Sequence, residues 1–453
     1  MPDVGRQSPH SRPRVVIVGG GFAGVNVARG LRDAPVDVTL LDRTNHYLFQ
    51  PLLYQVATGV LSPADIAVPT RFLVRRQRNA EVLLANVDGI DLKRRTVTAE
   101  HGALTVPFDY LVVATGARHS YFGHPEWEPL APGLKTLDDA REIRRRFLMA
   151  LERAEQVDDP AEQAAWLTVV IIGGGPTGVE LAGILPPIVR RGFRRDFRHA
   201  DLNRLRVILL EGGPRLLPAF PEALSARACR DLEQLGVTCR TGALVTNVTP
   251  DAVYLGDERI PTRTAFWAAG NAASPLIASM GIPVDRAGRA LVRADLTVPD
   301  HPHVFVIGDS AAVPMGTPPG DHDSPTRPQW VPGLAAAANQ MGTHTADAIR
   351  RSLEQQPAVP FVYHHRGSLA VIGRGRALAD FGRFKLTGRP AFFTWFAVHL
   401  MYLAGFRNRI SVTLEWAYAY FTFRPGARLL TRADVEALHE ERSRPAVPVQ
   451  RSA

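Results

Sequence analysis

The sequence predicts an α/β protein with two similar strand–loop–helix–strand units, the second inserted within the first, and an aromatic C-terminal region. A glycine-rich loop follows a β-branched strand at residues 14–24, and the same pattern returns at residues 167–178. Short apolar strands that end in turns at 114–116 and 308–309 flank the second unit in sequence. This interleaving indicates that one domain is inserted into the other.

The first unit has the features of a dinucleotide-binding βαβ fold. Residues 14–18 form an apolar run, and Gly19, Gly21 and Gly24 follow in a GxGxxG pattern. The first glycine permits the turn, the second lets the backbone approach a pyrophosphate, and the third allows close helix packing. Asp42 ends the next apolar run, where a carboxylate accepts hydrogen bonds from the ribose hydroxyls of an adenosine.

The second unit repeats this pattern with Gly173, Gly175, Gly178 and Glu211. A carboxylate at the end of the second strand repels a 2′-phosphate, so we expect NADH to be preferred over NADPH. Arg215 lies close enough in sequence to oppose that preference, and a solvated surface role is its alternative.

Two dinucleotide sites in one chain imply hydride transfer between two dinucleotides. The turn at Gly308 and Asp309 places a carboxylate where it could meet the ribityl chain of a flavin, although an aspartate in a turn often bonds its own backbone. The predicted domains are residues 14–125 and 266–350 for FAD, 126–265 for NADH, 351–430 for a membrane-associated region, and disordered tails at 1–13 and 440–453.

Composition narrows the remaining choices. The 453 residues suggest about three domains. The formal charge of +9 comes from arginine, because the chain has only three lysines, and it favours nucleic acid or an anionic membrane surface. No nucleic-acid-binding motif in the sequence supports a nucleic-acid partner.

Cys229 and Cys239 fit no metal or redox spacing, so we expect both to be small core residues and no metal site to be present. The N-terminus lacks an apolar signal segment, which predicts a cytoplasmic protein.

The C-terminal region has the composition of a membrane–water interface. Residues 391–406 carry no charge apart from His399, but sixteen residues are fewer than the roughly 20 that a spanning helix needs. The aromatic stretch 410–423 follows, and the region is expected to lie on a membrane rather than to cross it. Ile410, Val412 and Leu414 alternate with polar residues, as they would in a strand.

Two longer strings make a resemblance specific. NHYLFQPLLYQVA at 45–57 and GFRNR at 405–409 accompany the glycine loops and the segment Gly308-Asp309-Ser310. With these motifs the chain resembles the flavoprotein disulfide-reductase superfamily and, within it, the type II NADH dehydrogenases, which are single-subunit NADH:quinone oxidoreductases. The resemblance covers about residues 14 to 430, and it implies a helix at 410–423.

The resemblance also implies roles for individual residues. Glu180 would lie between the nicotinamide and the flavin and act in catalysis. Its closeness to Gly178 puts it in the first helical turn, where negative charge is favoured even without a catalytic role. Further FAD contacts are implied for Phe22, Ala23, Arg43, Val87 and Ala335. Quinone-site residues are implied at Gln340 and Lys385. Ala336 replaces a family glutamine, which leaves the quinone head group with one fewer side-chain partner.

The function implied is FAD-dependent transfer of a hydride from NADH to FAD, followed by delivery of two electrons to a membrane quinone without proton pumping. The enzyme would lie peripherally on the cytoplasmic face of the membrane, with quinone, membrane lipids and a second copy of the chain as partners, and no nucleic acid. Two alternatives stay open: a soluble NADH-dependent flavin reductase serving a small redox protein or oxygen, and an NADH-sensing flavoprotein acting through partner binding. A disulfide reductase is excluded because residues 24–59 contain no cysteine.

Overall fold

The computed structural model describes residues 12–315, 330–432 and 434–436. The predicted tails at 1–13 and 440–453 lie outside these residues, apart from positions 12 and 13. The chain folds as two units. Of the described residues, the first unit contains those up to Leu48, Ala67–Ser120 and Gly270–Gly367, and the second contains Phe49–Ile66, Tyr121–Ala269 and those from Ser368 onward.

A six-stranded sheet forms the centre of the first unit. Its strands run in the order Thr297–Val298, His301–Val306, Tyr110–Val113, Arg14–Val18, Asp37–Asp42 and Ala80–Leu84. All neighbours are parallel except the first pair. The central strands are buried β-branched and leucine runs, as expected for a parallel sheet covered on both faces.

Two helices of the first unit approach each other closely. Phe22–Gly30 packs on Ala335–Leu353, and a Cβ atom at Gly342 would lie only 2.4 Å from the carbonyl oxygen of Ala23. The remaining helices are Thr70–Val74 and Pro275–Ser279, and a 3₁₀ turn spans Gly308–Ser310. The smaller sheets of this unit are formed by the strands Val87–Asp91, Thr96–Ala99 and Leu104–Pro107; His46–Leu48 and Ala67–Pro69; Ala117–His119 and Asn271–Ala273; Ala290–Leu291 and Ala311–Ala312.

The second unit has a four-stranded parallel sheet in the order Val237–Thr241, Arg206–Glu211, Thr168–Ile172 and Thr264–Trp267. Two antiparallel sheets accompany it: Asn247–Thr249, Ala252–Leu255 and Glu258–Pro261; Ser368–Gly373, Arg376–Asp380 and Lys385–Thr387. Its α-helices are Leu53–Ala57, Pro63–Ile66, Leu137–Gln156, Pro160–Trp166, Pro176–Pro187, Glu222–Leu235, Gly388–Tyr402 and Phe406–Thr422. Shorter helical turns are Gln50–Leu52, Pro125–Trp127, Ile188–Phe193 and Leu202–Arg204.

The predicted α/β class with two Rossmann-like units is confirmed. The units change at positions 120/121, 269/270 and 367/368, whereas the sequence suggested 125, 265 and 350. The segment Phe49–Ile66 groups with the second unit although it follows the first glycine loop in sequence, which the sequence did not indicate.

The C-terminal residues form two antiparallel helices. Phe392 contacts Tyr420 and Phe396 contacts Trp416, with ring centroids 6.3 and 4.7 Å apart. The stretch with strand-like alternation therefore lies inside the helix Phe406–Thr422, as the family resemblance implied. Among the residues that are described, no helix combines the length and the apolar character needed to span a bilayer.

The two cysteines differ from the prediction. Cys229 lies on the helix Glu222–Leu235 and Cys239 on the strand Val237–Thr241, and each is half-buried. The expectation that both are core residues is therefore wrong, because each lies at a partly exposed position of its element.

Candidate functional site

The first glycine loop has the geometry of a phosphate-binding turn. Gly19 has φ +107°, and a Cβ atom there would lie 2.3 Å from the carbonyl oxygen of Ala114. A Cβ atom at Gly24 would lie 1.9 Å from the carbonyl oxygen of Gly19, so both positions exclude a side chain. At Gly21, in contrast, a Cβ atom would meet no protein atom within 4 Å. The second glycine therefore faces open space at a helix N-terminus, where a pyrophosphate fits.

Hydrogen bonds from Gly20 and Thr44, two residues of the same unit, hold Asp42 beside this loop. Its Oδ2 accepts a hydrogen bond from the Gly20 N–H at 2.5 Å, and its Oδ1 accepts from the N–H and Oγ1 of Thr44 at 2.6 and 2.7 Å. These bonds hold the carboxylate at the edge of the sheet where the adjacent parallel strands end. Oδ2 keeps capacity for a further donor, such as a ribose hydroxyl.

The other residues expected to contact FAD belong to the same unit. Asp309 lies in the turn after the strand His301–Val306, and it lines a cavity of about 140 Å³ together with residues of the first turns of the helix Ala335–Leu353. Ala335 begins that helix. Phe22 and Ala23 occupy the first turn of the helix after the glycine loop, Arg43 is exposed beside Asp42, and Val87 begins the strand Val87–Asp91. The donor set and the open space at the second glycine fit an adenine dinucleotide.

The second glycine loop repeats this geometry. Gly173 has φ +114°, and a Cβ atom at Gly178 would lie 1.9 Å from the carbonyl oxygen of Gly173. A Cβ atom at Gly175 would again meet no protein atom within 4 Å. Glu211 accepts hydrogen bonds from the N–H groups of Gly174 and Gly213, both at 2.6 Å. A second dinucleotide fits here in the same way as in the first loop.

The guanidinium of Arg215 is occupied by its own loop. It donates to the carbonyl oxygens of Phe220 and Pro218, both at 2.9 Å. These bonds tie the guanidinium to the backbone of its own loop. They favour a structural role for Arg215 over recognition of a 2′-phosphate.

Glu180 lies in a less ordinary environment than the sequence suggested. The helix Pro176–Pro187 has no acidic residue in its first turn, because Glu180 is the fifth residue and belongs to the second turn. The expected first-turn position is therefore wrong, and the helix N-terminus does not account for the carboxyl. Part of the residue is solvent-exposed, yet its carboxyl is surrounded by protein, and this burial raises the pKa of Glu180 to about 8. A hydrogen bond from the Val371 backbone opposes the shift.

A hydrogen-bonded network joins the environment of Glu180 to a C-terminal helix. The Trp416 indole N–H donates to Gln55 Oε1 at 2.5 Å, and Gln55 Nε2 donates to the Tyr54 hydroxyl at 2.8 Å. Burial, followed by the charge of Glu180, raises the pKa of Tyr54 well above its usual value. The sequence alone did not assign these residues a role, although Tyr54 and Gln55 lie within the distinctive string 45–57.

The two residues considered for a quinone site have different surroundings. Gln340 exchanges two hydrogen bonds with the His364 backbone: its Nε2 donates to the carbonyl oxygen at 3.0 Å, and its Oε1 accepts from the N–H at 2.9 Å. One amide hydrogen and one lone pair remain for another partner. Lys385 is exposed at the start of the strand Lys385–Thr387.

Within the described parts of the chain, no group of three or more His, Cys, Asp or Glu residues could hold a metal ion.

Comparison with known families and structures agrees with this architecture. Residues 13–342 match the pyridine nucleotide-disulphide oxidoreductase family, and residues 365–425 match the NDH2 C-terminal domain. A solved structure of NDH2 from Plasmodium falciparum in complex with NADH has a TM-score of 0.82 at 21% identity, covering 91% of this chain and 99% of that one. The sulfide:quinone oxidoreductase of Aquifex aeolicus has a TM-score of 0.65 at 22% identity, covering 90% and 94%. These two likenesses concern the fold.

Curated relatives are much more similar in sequence. The type II NADH:quinone oxidoreductase Ndh of Mycobacterium tuberculosis is 41% identical over 93% of this chain and 91% of its own length. NdhA, the enzyme of the same description from that organism, is 43% identical over 93% and 90%. With both glycine loops, the C-terminal domain and this identity along nearly the whole chain, the protein belongs to the type II NADH:quinone oxidoreductases, enzymes that pass electrons from NADH through FAD to a quinone.

Proposed function

We propose that FAD binds the first glycine loop, that NADH binds the second, and that Glu180 holds the proton that quinone reduction consumes. The first two assignments rest on the paired loops, each with a carboxylate at its edge and open space at its second glycine. Asp42 and Glu211 would each accept hydrogen bonds from the ribose hydroxyls of one adenosine. The charge of Glu211 and the occupied guanidinium of Arg215 support NADH over NADPH.

The role of Glu180 rests on the place of its carboxyl, which is enclosed by protein two residues after the third glycine of the second loop, and this burial raises its pKa to about 8. The overall reaction is NADH + H⁺ + quinone → NAD⁺ + quinol, so each turnover takes up one proton. Bound FAD would accept the hydride and pass on the two electrons. At pH 7 most Glu180 carboxyls would be protonated, and a carboxylic acid with a pKa near the working pH can donate and then recover a proton. The backbone N–H of Val371 would stabilise the carboxylate that is left.

The buried Tyr54 and Gln55 would keep this carboxyl in a dry environment. The phenol of Tyr54 stays protonated at all working pH values because its pKa is far above the usual range. The hydrogen bond from Trp416 holds Gln55 in place, so a movement of the C-terminal helix would shift Gln55 and, through it, Tyr54. We therefore infer that Tyr54 and Gln55 are positioning residues that exclude water from Glu180.

Glu180→Gln tests the proton-donor role. The amide keeps the size of the side chain but cannot release a proton at neutral pH. We expect kcat for NADH-to-quinone turnover to fall by about 100-fold. In the unchanged enzyme kcat should decrease as the pH rises through about 8, because the carboxyl loses its proton there. The variant should lack this decrease.

Flavin absorbance of the same variant is the control, since FAD occupancy should not change. Glu222→Gln provides the same Glu-to-Gln change at an exposed position of the same unit and should leave kcat and its pH dependence as they were. Equal kcat values and equal pH profiles for Glu180→Gln and the unchanged enzyme would remove Glu180 from the proton pathway.

We also propose that the two C-terminal helices attach the enzyme to a membrane surface. Each helix presents an exposed apolar stripe at helical spacing. On Phe406–Thr422 the stripe consists of Ile410, Leu414, Tyr418 and Phe421, and on Gly388–Tyr402 it consists of Phe393, Ala397 and Met401. Phe421 is 76% exposed and Leu414 is 65% exposed. Apolar surface of this kind is stabilised when it enters the headgroup region of a bilayer.

Sedimentation with neutral phosphatidylcholine vesicles tests this attachment. Replacing Leu414 and Phe421 by Ser removes two exposed side chains and leaves the buried Trp416 in place. We expect the bound fraction to fall at least tenfold, since each large apolar side chain contributes roughly 1.5–3 kcal/mol when it leaves water. Leu244→Ser with Phe122→Ser, two similarly exposed positions outside these helices, should keep full binding. Equal binding by both double variants would place the attachment elsewhere.

Further proposals concern the acceptor site and the placement of the enzyme. Gln340 retains one hydrogen and one lone pair for a quinone carbonyl, and Lys385 is exposed enough to contact a quinone.

Attachment to the cytoplasmic face and assembly as a homodimer are also proposed. Crosslinking of the membrane-bound enzyme tests the dimer, and protease accessibility in sealed vesicles tests the face.

A further inference from the structure

A cleft rich in arginine lies at the end of the C-terminal helix pair. Its volume is about 670 Å³. Arg191 comes from the turn Ile188–Phe193, Arg374 from the hairpin after the strand Ser368–Gly373, and Arg389 from the start of the helix Gly388–Tyr402. Tyr420 and Phe423 supply its aromatic wall. We call this feature the arginine cleft.

Two further arginines of the cleft have structural partners. Arg190 donates to the carbonyl oxygens of Leu235 and Leu205, at 3.4 and 2.9 Å. Arg376 lies 3.3 Å from the buried carboxylate of Asp231. These contacts explain why both side chains are present, and they hold the walls of the cleft in position.

The other three arginines lack such a partner. Arg191, Arg374 and Arg389 are exposed, and in the part of the chain that the structure describes none of them forms an ion pair with an acidic side chain. Three positive groups therefore converge on one cleft without compensation. A cleft lined by unpaired charges of one sign attracts anions.

Aromatic contacts hold two of these guanidinium groups in place. Arg374 lies over the rings of Tyr420 and Phe423, 3.9 and 4.4 Å from their centroids, and Arg191 lies 4.8 Å from the centroid of Phe423. Stacking on a ring leaves the edge of a guanidinium, with its N–H groups, open to an acceptor. A planar, fixed donor set of this kind suits the oxygens of a phosphate.

The surroundings of the cleft indicate what carries that phosphate. Arg389 lies one turn before Phe393 on the helix Gly388–Tyr402, and both are exposed, so the cleft adjoins the exposed stripe of that helix. We propose that the arginine cleft holds the phosphodiester of an anionic phospholipid whose acyl chains lie along this stripe. The inference rests on the membrane attachment proposed above and adds a discrete lipid site to it.

Binding of a soluble short-chain lipid to the holoenzyme tests the cleft without a membrane. Dihexanoyl phosphatidylglycerol, below its micelle concentration, should bind saturably by calorimetry, and dihexanoyl phosphatidylcholine should bind at least tenfold more weakly. The triple variant Arg191→Gln/Arg374→Gln/Arg389→Gln should lose about 100-fold in affinity, since each basic group near an anionic lipid contributes about a factor of five. The control Arg32→Gln/Arg78→Gln/Arg94→Gln removes the same charge from exposed positions of the first unit and should keep full affinity.

Further measurements separate the possible outcomes. Inorganic phosphate that binds as tightly as the lipid would overturn the lipid assignment, and equal losses in the two triple variants would overturn the cleft. The single variant Arg374→Lys keeps the charge but loses the stacked, two-pronged donor, and we expect a loss of about fivefold with the fold preserved. Flavin absorbance and turnover with a soluble quinone analogue should be unchanged in every variant.

Vesicles distinguish failure of the cleft from failure of the membrane attachment. Neutral phosphatidylcholine vesicles report on the apolar stripes alone, and added phosphatidylglycerol reports on the cleft. Binding to neutral vesicles with no gain from phosphatidylglycerol would reject the cleft and leave the attachment intact. Absence of all vesicle binding, with saturable short-chain lipid binding retained, would reject the attachment and keep the cleft.

Discussion

The two glycine loops of this enzyme are nearly the same structure with different residues in the following helical turn. Both first glycines have φ above +100°, and a Cβ atom at either third glycine would lie 1.9 Å from the carbonyl oxygen of the first. Both edge carboxylates bind an N–H inside the loop. Two positions after the third glycine, the first helix carries Asn26 and the second carries Glu180. The loops thus share one binding geometry, and the difference lies in the residue beyond it.

On the proposed assignments, this difference separates a residue that holds the cofactor-binding unit together from one that takes part in the reaction. The Asn26 amide donates to the carbonyl oxygen of Phe22 at 2.8 Å and to Asn339 Oδ1 at 2.5 Å, so it joins two helices of the first unit. Glu180 carries a carboxyl that burial keeps largely protonated at neutral pH. A neutral amide with both hydrogens bonded suits a permanently bound cofactor, whereas an ionisable carboxyl suits a site where protons are exchanged.

The largest expected effect comes from filling each loop in turn. Gly21→Val and Gly175→Val add a side chain where no protein atom lies within 4 Å, so neither should disturb folding. The added atoms would instead occupy pyrophosphate space, and we expect roughly 10- to 100-fold weaker binding of one dinucleotide. Gly21→Val should lose flavin absorbance, while Gly175→Val should keep it and show a raised KM for NADH. Loss of flavin from both variants would mean that the loops do not divide the two dinucleotides.

A tenfold effect is expected from the carboxylate at the edge of the second loop. Glu211→Gln keeps the side-chain size but removes the charge that would repel a 2′-phosphate. The ratio of kcat/KM for NADH to kcat/KM for NADPH should fall about tenfold. Glu222→Gln is the control for the charge change and should leave the ratio as it was. A ratio unaffected by Glu211→Gln would assign the preference to another part of the site.

Local patterns in the sequence predicted the loops because their geometry depends on residues close together in the chain. The glycine spacing and the strand ends at Asp42 and Glu211 are short-range features, and the parallel sheets follow from them. Tyr54 could not be assigned in this way. Its segment follows the first loop in sequence but packs in the second unit with Glu180, and only long-range contacts determine that choice. The pKa of Glu180 likewise depends on burial that the helix position did not reveal.

The stretch 410–416 shows how a pattern can suggest the wrong structure for a physical reason. Ile410 and Leu414 belong to the exposed apolar stripe, whereas Val412 and Trp416 are buried on the opposite face of the same helix. A helix with two apolar faces produces apolar residues at every second position, which is also the period of a strand. The helix was implied by family resemblance, and periodicity alone could not have distinguished the two.

The smallest expected effects are on stability, and they come from substituting Asn26 and Glu180, the residues that differ between the two helical turns. Asn26→Asp replaces a donor by a carboxylate that faces the carbonyl oxygen of Phe22 and the side chain of Asn339. Because the Asn339 amide can turn and donate, only one contact stays unfavourable, and we expect a loss of about 1 kcal/mol in stability. The introduced carboxyl is less costly when protonated, so the loss should be larger at pH 8 than at pH 5. Thermal unfolding followed by flavin release measures it.

Glu180→Gln should change the pH dependence of stability in the opposite direction. With a pKa of about 8, Glu180 in the folded enzyme holds a proton between pH 4.5 and 8 that the unfolded chain releases, so its contribution to the stability of the unchanged enzyme falls as the pH rises through that range. The variant has no such proton to lose and should gain relative stability over the same range. Thermal unfolding at pH 5 and pH 8 measures this difference beside Asn26→Asp. The same pH dependence in both variants would show that the two positions do not differ in the way proposed.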